Sequence, residues 1–502
     1  MSVPAVLAID QGTTGSTCLA VAQDGRILSR AYSEFTQYFP RPGWVEHDAL
    51  EIWDVTRRMA REALAAARDA DVRGIGITNQ RETIVLWDRR TLEPVHRAIV
   101  WQDRRTTALC QELGRSGHAE QVRARTGLVI DPYFSGTKVA WLLAEQPGLR
   151  ERAESGDLAF GTVDTWLMAR LTDGRTHATD PTNASRTLFY NLAERAWDDW
   201  LLDLLGVPRA LLPEVRASSG DFGIACGEHL GAELPLAGVA GDQQAALFGQ
   251  GCWSAGLAKN TYGTGAFLLL HTGSEIVPSR HGLLTTVACD ARGGAGYALE
   301  GSIFIAGAAL QWLRDGLGVI DAAHVSEAMA RGLDDNGGVY FVPAFVGLGA
   351  PHWEPRARGT IVGLTRGSTK EHLVRAALES MAFATAEVLT SMEADSGLAT
   401  RELRVDGGAA LNDWLMGFQA DLLNVPVRRP AVVETTALGA AGLAGIATGV
   451  WGSGQEFLAA RGEPSRFEPH MDDGQRDRLR AEWDRAVRAA ISWARDGRPD
   501  AG

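Results

Sequence analysis

Two stretches of the chain are written alike, and together they constrain its architecture more than any other feature. Val6 to Ala22 reads Val-Leu-Ala-Ile-Asp-Gln-Gly-Thr-Thr-Gly-Ser-Thr-Cys-Leu-Ala-Val-Ala, and Leu257 to Leu270 reads Leu-Ala-Lys-Asn-Thr-Tyr-Gly-Thr-Gly-Ala-Phe-Leu-Leu-Leu. Each sets two apolar, β-prone segments around a turn of Gly and Thr, the pattern of a hairpin with one buried face. A repeat of this kind at the start of each half predicts a duplicated α/β chain of two domains, 1–250 and 251–502, with a ligand gripped in the cleft between facing turns. At 502 residues the chain is too long for one core, which agrees with the division.

The first turn offers glycines whose N–H groups can converge, hydroxyls that can bond oxygens, and Asp10 at the end of the first strand. That combination suits a phosphate cradle with a carboxylate beside it to position a metal, although the same residues also build ordinary turns. The loop type that closes on Gly-Lys-Ser/Thr is excluded, because the next segment continues as a strand.

The rest of the first half alternates strand and helix. Ile27 to Tyr32 reads as a third strand, and Asp48 caps a helix with Glu51 at capping-box spacing and Ile52, Val55, Met59 and Ala63 on one face. Strands are expected at Val72–Thr78, Thr83–Trp87, Val95–Trp101, Leu158–Val163 and Leu234–Ala240. Asn79-Gln80-Arg81-Glu82, squeezed between two strands, reads first as a solvent-facing turn, although Arg81 and Glu82 could donate and accept toward a polyhydroxyl ligand. Asp242, where a strand meets a helix, reads as an N-cap. In the second half, Leu403–Asp406 is a strand, Gly407-Gly408 lets a flat ring approach the backbone, and a helix follows from Leu411 to Leu423. Ala437–Trp451, rich in Gly and Ala, is shorter than the ~20 residues of a membrane span and reads as a tightly packed buried helix.

A net charge of -13 argues against nucleic acid or anionic membrane as the main partner. Five cysteines without a Cys-x-x-Cys pair point to neither a disulfide framework nor a zinc site and fit a reducing cytosol. Asp10 interrupts the only early apolar run, so no targeting core forms and a cytoplasmic location is expected. Asp221-Phe222-Gly223 matches one fragment of the protein-kinase signature with none of its other parts, and no dinucleotide or nucleophile-elbow motif is present.

The phosphate and adenosine signals at Asp10–Thr17, Tyr262–Gly265 and Asp406–Asn412, in that order across two similar halves, resemble the actin-like ATPase superfold with its ribonuclease H-like domains. The chain is similar to the FGGY family of carbohydrate kinases, and within it to the glycerol kinases, through Asp-Gln-Gly-Thr-Thr at 10–14, Pro-Gly-Trp-Val-Glu-His-Asp at 42–48, Ile-Thr-Asn-Gln-Arg-Glu at 77–82, Asp-Pro-Tyr-Phe-Ser-Gly-Thr-Lys at 131–138 and Gly-Asp-Gln-Gln at 241–244. The resemblance implies ATP-dependent phosphorylation of glycerol to sn-glycerol 3-phosphate by a homo-oligomer, a dimer or tetramer. It makes Asp242 the general base, and Asp10 with Asp242 the holders of Mg²⁺ through water. Arg81, Glu82, Tyr133, Asp242 and Gln243 would hold the hydroxyls, with Trp101 and Phe267 along the carbon skeleton. Thr13, Thr14, Gly15, Thr17, Thr264, Gly307, Gln311, Gly408 and Asn412 fall at nucleotide-contacting positions, the first half carrying the polyol site and the second the adenosine site. Gly15 and Thr17 stand where the family pattern has Ser and Arg, which removes one phosphate contact. The alternatives are a kinase of the same family for another polyol or ketose, and a non-catalytic actin-like ATP switch, which would need no polyol pocket.

The resemblance also bears on regulation. Some bacterial members are inhibited by fructose 1,6-bisphosphate, held by a glycine-rich loop that carries an Arg. Here the loop is Gly227–Pro235, Glu233 takes the Arg position, and Glu228 adds a second carboxylate, so a sugar phosphate meets repulsion. His229 lies one residue from a histidine that is phosphorylated in other members and reads as a surface residue. Turnover of glycerol at fixed Mg-ATP is therefore expected to stay unchanged as fructose 1,6-bisphosphate is raised to low millimolar. Half-inhibition below that concentration would mean another basic group has replaced the Arg.

Overall fold

The computed structural model describes residues 2–496. β1 (Pro4–Gln11) and β2 (Gly15–Ala22) pair antiparallel with Asp10 opposite Thr17, and β3 (Ile27–Glu34) extends the meander. Asp48 caps α1 (Ala49–Ala66), accepting from the N–H groups of Leu50 and Glu51 at 2.9 and 3.4 Å. The capping box does not close: Glu51 turns to Thr36 instead and accepts from its N–H and hydroxyl at 3.0 and 2.9 Å. β4 (Asp71–Asn79) lies parallel to β1, and β5 (Leu234–Gly241) lies parallel to β4 and runs into α2 (Asp242–Gly249).

Between β4 and β5 the chain completes a smaller sheet begun at Gln37–Tyr38 and Glu46–His47, adding strands that include Ile84–Asp88 and Leu158–Thr162, and forms the helices Thr107–Arg115 and Ser135–Glu145. The strand expected over Val95–Trp101 shrinks to Ala98–Ile99. Its segment changes neighbours midway: the Val95 N–H bonds Leu86, whereas the Val100 N–H bonds Val45.

The second half opens with the hairpin β6 (Leu257–Tyr262) and β7 (Ala266–Gly273), followed by β8 (Leu284–Cys289), β9 (Ala295–Ile303) and α3 (Gly307–Asp315). The long α4 (Lys370–Ser396) precedes β10 (Glu402–Gly407), α5 (Asp413–Leu423), β11 (Val427–Arg429), α6 (Thr435–Ala447) and β12 (Ser465–Phe467). The strand orders β3-β2-β1-β4-β5 and β9-β7-β6-β10-β11 match, with the same antiparallel and parallel senses at each step. The repeat read from the two hairpins is thus a repeat of whole sheets.

β1 is buried on both faces, not on one. Leu7 and Ile9 pack with Ile52, Trp53 and Met59 of α1. Val6 and Ala8 pack on the other face with Ala245 and Phe248 of α2 and with Ala437, Leu438 and Ala441 of α6. The second face is covered because α6 returns from far along the chain to lie on the first sheet. On its remaining side α2 sends Leu247 against Leu269, Ala288 and Ala298 of the second sheet. One short helix is therefore held between two sheets.

Close approach makes this sandwich possible. A Cβ at Gly76 of β4 would overlap the carbonyl of Ala440, and one at Gly439 would overlap the carbonyl of Ala245 in α2. Among the described residues no helix is long and apolar enough to cross a membrane, and all five cysteines are free thiols. Gly439→Ala is expected to lose about 3 kcal/mol in chemical denaturation, the upper part of the overpacking range, because backbone rather than a side-chain tip must move. Gly417→Ala, in α5 with open space around it, is expected to gain about 0.5–1 kcal/mol from helix propensity.

Candidate active site

Strand periodicity decides where the first carboxylate goes. Asp10 shares the face of Val6 and Ala8, so it continues that row past the apolar core and reaches the start of α2. Burial, and then the nearby charge of Asp242, push its carboxyl up to about 7. None of the described residues donates a hydrogen bond to it, and Thr17 stands opposite on the same face. Asp242 is not the N-cap expected of it. The cap position belongs to Gly241, and Asp242 is the first helical residue, with Oδ1 accepting only the N–H of the adjacent Gln243 at 2.7 Å. Its side chain keeps 33% exposure and lies 3.2 Å from Nε of Arg81. Two carboxylates with few protein partners are hard oxygen donors of the kind Mg²⁺ takes, so the pair fits that ion.

Asn79, Gln80, Arg81 and Glu82 are all buried, which overturns the solvent-facing reading. They turn the chain from β4 into the smaller sheet, and Glu82 sits at φ +60°, a left-handed conformation uncommon outside glycine. Arg186 holds Glu82 there, with Nε 2.6 Å from its carboxylate. Arg81 donates to both oxygens of Glu300 at 2.5 and 3.0 Å, and Arg186 reaches Glu300 at 2.9 Å. Burial alone would lower the Arg81 pKa, but Glu300 and Glu82 outweigh it and hold the guanidinium charged. Against its own burial, Glu300 is held down at about 2 by Arg186 and Arg81. Burial raises Glu82 in spite of the two guanidiniums.

Around this network stand the remaining polyol candidates. The Tyr133 hydroxyl lies 3.5 Å from Nη2 of Arg81, and burial raises its pKa, which keeps the proton in place. The Tyr133 ring meets Trp101 edge-on at 5.6 Å, and the Trp101 indole donates to the Thr13 hydroxyl at 3.0 Å, tying these two rings to the first turn. Gln243 accepts at Oε1 from Lys259, a residue whose ammonium burial pulls down to about 8. Phe267 is half-buried on β7 opposite Thr261 and Ser302, on the face of Leu269, and is not among the ring contacts of Trp101, Tyr133 and Phe134.

The nucleotide candidates form two groups. The Gly12 N–H closes the first turn on the Gly15 carbonyl at 2.9 Å, the Thr14 carbonyl accepts from Phe35, and a Cβ at Gly15 would meet the Ser33 carbonyl and the Tyr32 ring. Tyr32 thus fills the space that the family's Ser would use. At the second turn, the Thr264 carbonyl accepts from Ala306 and Ala308, and the Gly263 carbonyl accepts from Gly307 at 3.0 Å. These bonds fasten the start of α3 to the turn, with Gln311 exposed one turn further on. β10 places Gly407 beside Tyr262, so the exposed Gly408 neighbours the same turn, and Asn412 caps α5 by accepting from Leu415 at 2.9 Å.

Sequence reasoning missed Arg186, Glu300 and Lys259. The available signal was a charge on the inward parity of an apolar strand, Glu300 aligned with Ala298 and Lys259 with Leu257. His229 is not a plain surface residue: it is half-buried, bonds Asp173 at 2.7 Å and meets Trp53 edge-on. Cys226 joins Asp173 and His229 in one cluster, but Arg175 lies 2.8 Å from its sulfur and sets a positive charge against any cation there.

The chain matches the profile of the N-terminal domain of the FGGY family of carbohydrate kinases over residues 5–249 and that of its C-terminal domain over 258–448. It is 55% identical over 490 residues to a glycerol kinase of Petrotoga mobilis, covering 97% of this chain and 98% of that protein. A glycerol kinase of Halorhodospira halophila is 57% identical over 495 residues, with coverages of 98% and 97%. Among solved structures, Plasmodium falciparum glycerol kinase with ADP superimposes with TM-score 0.93 at 35% identity, covering 97% of this chain and 98% of that one.

The carboxyl of Asp10 supplies a sign-definite test. Its folded pKa of about 7 lies above the model-compound value of 3.8, so between these two pH values the folded state holds a proton the unfolded state has lost. Stability therefore falls as pH rises through that window. Asp10→Asn removes the penalty, and in thermal melts without ligand it is expected to match the parent near pH 4. At pH 8 it is expected to exceed the parent by about 2 kcal/mol, discounted for water on the cleft side.

Proposed function

Because the chain belongs to the FGGY family of carbohydrate kinases, we propose that it transfers the γ-phosphoryl group of ATP to a terminal hydroxyl of glycerol, giving sn-glycerol 3-phosphate. The observation that carries this reading is the open face of Asp242 beside Nε of Arg81, with the Tyr133 hydroxyl on Nη2 of the same guanidinium and the Trp101 ring edge-on to Tyr133; with Glu82 and Gln243 these residues would line the polyol pocket. Charged donors and acceptors on one side, with aromatic rings on another, suit a small polyol. A nucleotide switch has no use for such a pocket.

In this reading Glu82 accepts from one hydroxyl, and Arg81 and Gln243 donate to oxygen atoms, so that the attacking hydroxyl is left to donate to Asp242. Asp242 takes the proton as the oxygen attacks the γ-phosphorus in line. Phosphoryl transfer asks little covalent chemistry of the protein, and positioning with charge stabilisation supplies most of the rate. The N–H groups of Gly12 and Gly263 are spent closing their own turns, so those of Thr13, Thr14, Thr264 and Gly265 would face the phosphates, and Thr13, Thr17 and Thr264 would add hydroxyls. Asp10 and Asp242 would hold Mg²⁺, which when bound neutralises charge on the β- and γ-oxygens. Residues 1–250 and 251–502 would close on the ligands and exclude water, a competing nucleophile.

ADP release over a panel of polyols and ketoses tests the substrate. Glycerol is expected to give the highest kcat/KM, and preference for a pentulose or gluconate would overturn the assignment. Asp242→Asn is expected to lower kcat by ~10²- to 10⁴-fold, the usual worth of a general base, with nucleotide affinity nearly intact. Wild-type turnover in that variant, with chemistry as the slow step, would leave Asp242 without a catalytic role.

A further inference from the structure

Lys259 belongs to the second half of the chain, yet its side chain ends at the first turn of α2. It lies on the inward face of β6, fully buried, with Nζ 2.5 Å from Oε1 of Gln243 and 2.8 Å from the hydroxyl of Thr261. An ammonium has three donors and no acceptor, so only the carbonyl end of an amide can face it. The orientation of Gln243 therefore follows from the chemistry of its neighbour. Its NH₂ end has no hydrogen-bond partner among the described residues, and it is not among the sealed polar atoms of the interior.

We propose that Lys259 is a positioning residue that locks Gln243 as a hydrogen-bond donor to the substrate hydroxyl. The proposal rests on the polyol-pocket reading and adds a reason for its polarity. A hydroxyl that gives its proton to Asp242 has only lone pairs left for its other neighbours. Gln243 is the next residue on the same helical turn, so it helps only when its NH₂ group faces the substrate. With Lys259 absent, the amide is free to rotate and to set its oxygen against an oxygen. The two halves of the chain are thereby joined at the acceptor site: one supplies the amide, and the other fixes which way it points.

The test is a double-mutant cycle of Lys259→Met and Gln243→Ala, read by steady-state kinetics with glycerol and ATP varied separately. Lys259→Met is expected to raise KM for glycerol about tenfold, with a smaller change in kcat and none in KM for ATP, the pattern of lost ground-state binding. The double variant is expected to be no worse than Gln243→Ala alone, because the lysine acts through that amide. An unchanged KM for glycerol in Lys259→Met, or a full additional loss on top of Gln243→Ala, overturns the proposal. Gln243→Glu guards against misfolding. It keeps an acceptor for Lys259, whose ammonium balances the added charge, and replaces the donor with an oxygen, so a wild-type melting temperature with weakened glycerol binding is expected, and a wild-type KM for glycerol again overturns the proposal. If the wild-type enzyme prefers another polyol, the assignment of glycerol fails by itself. The same cycle, read on the preferred polyol, still decides the role of Lys259.

Discussion

Four charges meet almost without water in this protein, and the arrangement around Asp242 depends on their staying matched. Arg81 and Glu82 come from the end of β4, Arg186 from the later part of the first half, and Glu300 from β9 in the second, with every side chain at most 2% exposed. Removing such groups from water costs several kcal/mol each, and mutual attraction offsets that only when the geometry is good and no partner is missing. Loss of one member of such a buried set costs about 3–5 kcal/mol, so the network exists whole or not at all. This completeness holds Glu82 in a left-handed backbone conformation that an isolated glutamate would leave.

The network reaches across the halves because α2 lies between the two sheets. Gly76 and Gly439 let α6 lie flush on β4 and against α2, while Leu247 turns toward the second sheet. With α2 fixed on all sides, Asp242 and Gln243 project from a rigid stub, and strands from both halves bring Asp10, Arg81, Lys259 and Glu300 to its first turn. The glycines in the core and the charges in the cleft are thus one design: without the close packing, the four elements would not converge.

Much of this was legible in the sequence, and the gaps have physical causes. The two hairpins, α1 with its Asp48 cap, and the strand-to-helix junction at Asp242 follow from short-range periodicity and turn chemistry. Glu51 failed to close its capping box because Thr36, fifteen residues away in sequence, offers it two donors. The Val95–Trp101 strand broke where its hydrogen-bond partner changed. Asn79–Glu82 read as solvent-facing because the charges of this polar run are neutralised by partners remote in sequence, Arg186 and Glu300 among them. The Gly and Ala content of α6 announced close packing, but nothing local said that its neighbour would be the sheet of the other half.

In the proposed function, the two sides of the site are built on opposite electrostatic plans. On the acceptor side each buried guanidinium has a carboxylate against it, although Nε of Arg81 and Nη1 of Arg186 lack hydrogen-bond partners; Lys259 has its amide and the Tyr133 hydroxyl keeps its proton, so in the proposed reading little would have to reorganise for a neutral polyol. On the donor side Asp10 has no protein donor among the described residues, and burial, followed by the charge of Asp242, holds its proton up to about 7. A neutral ligand can do nothing for that imbalance. A cation with the negative charge of a nucleotide would, by screening the two carboxylates from each other while turn amides took the phosphate oxygens. On that reading the charges of the acceptor side are balanced before a ligand arrives, whereas the charge balance of the donor side would be completed by what binds there.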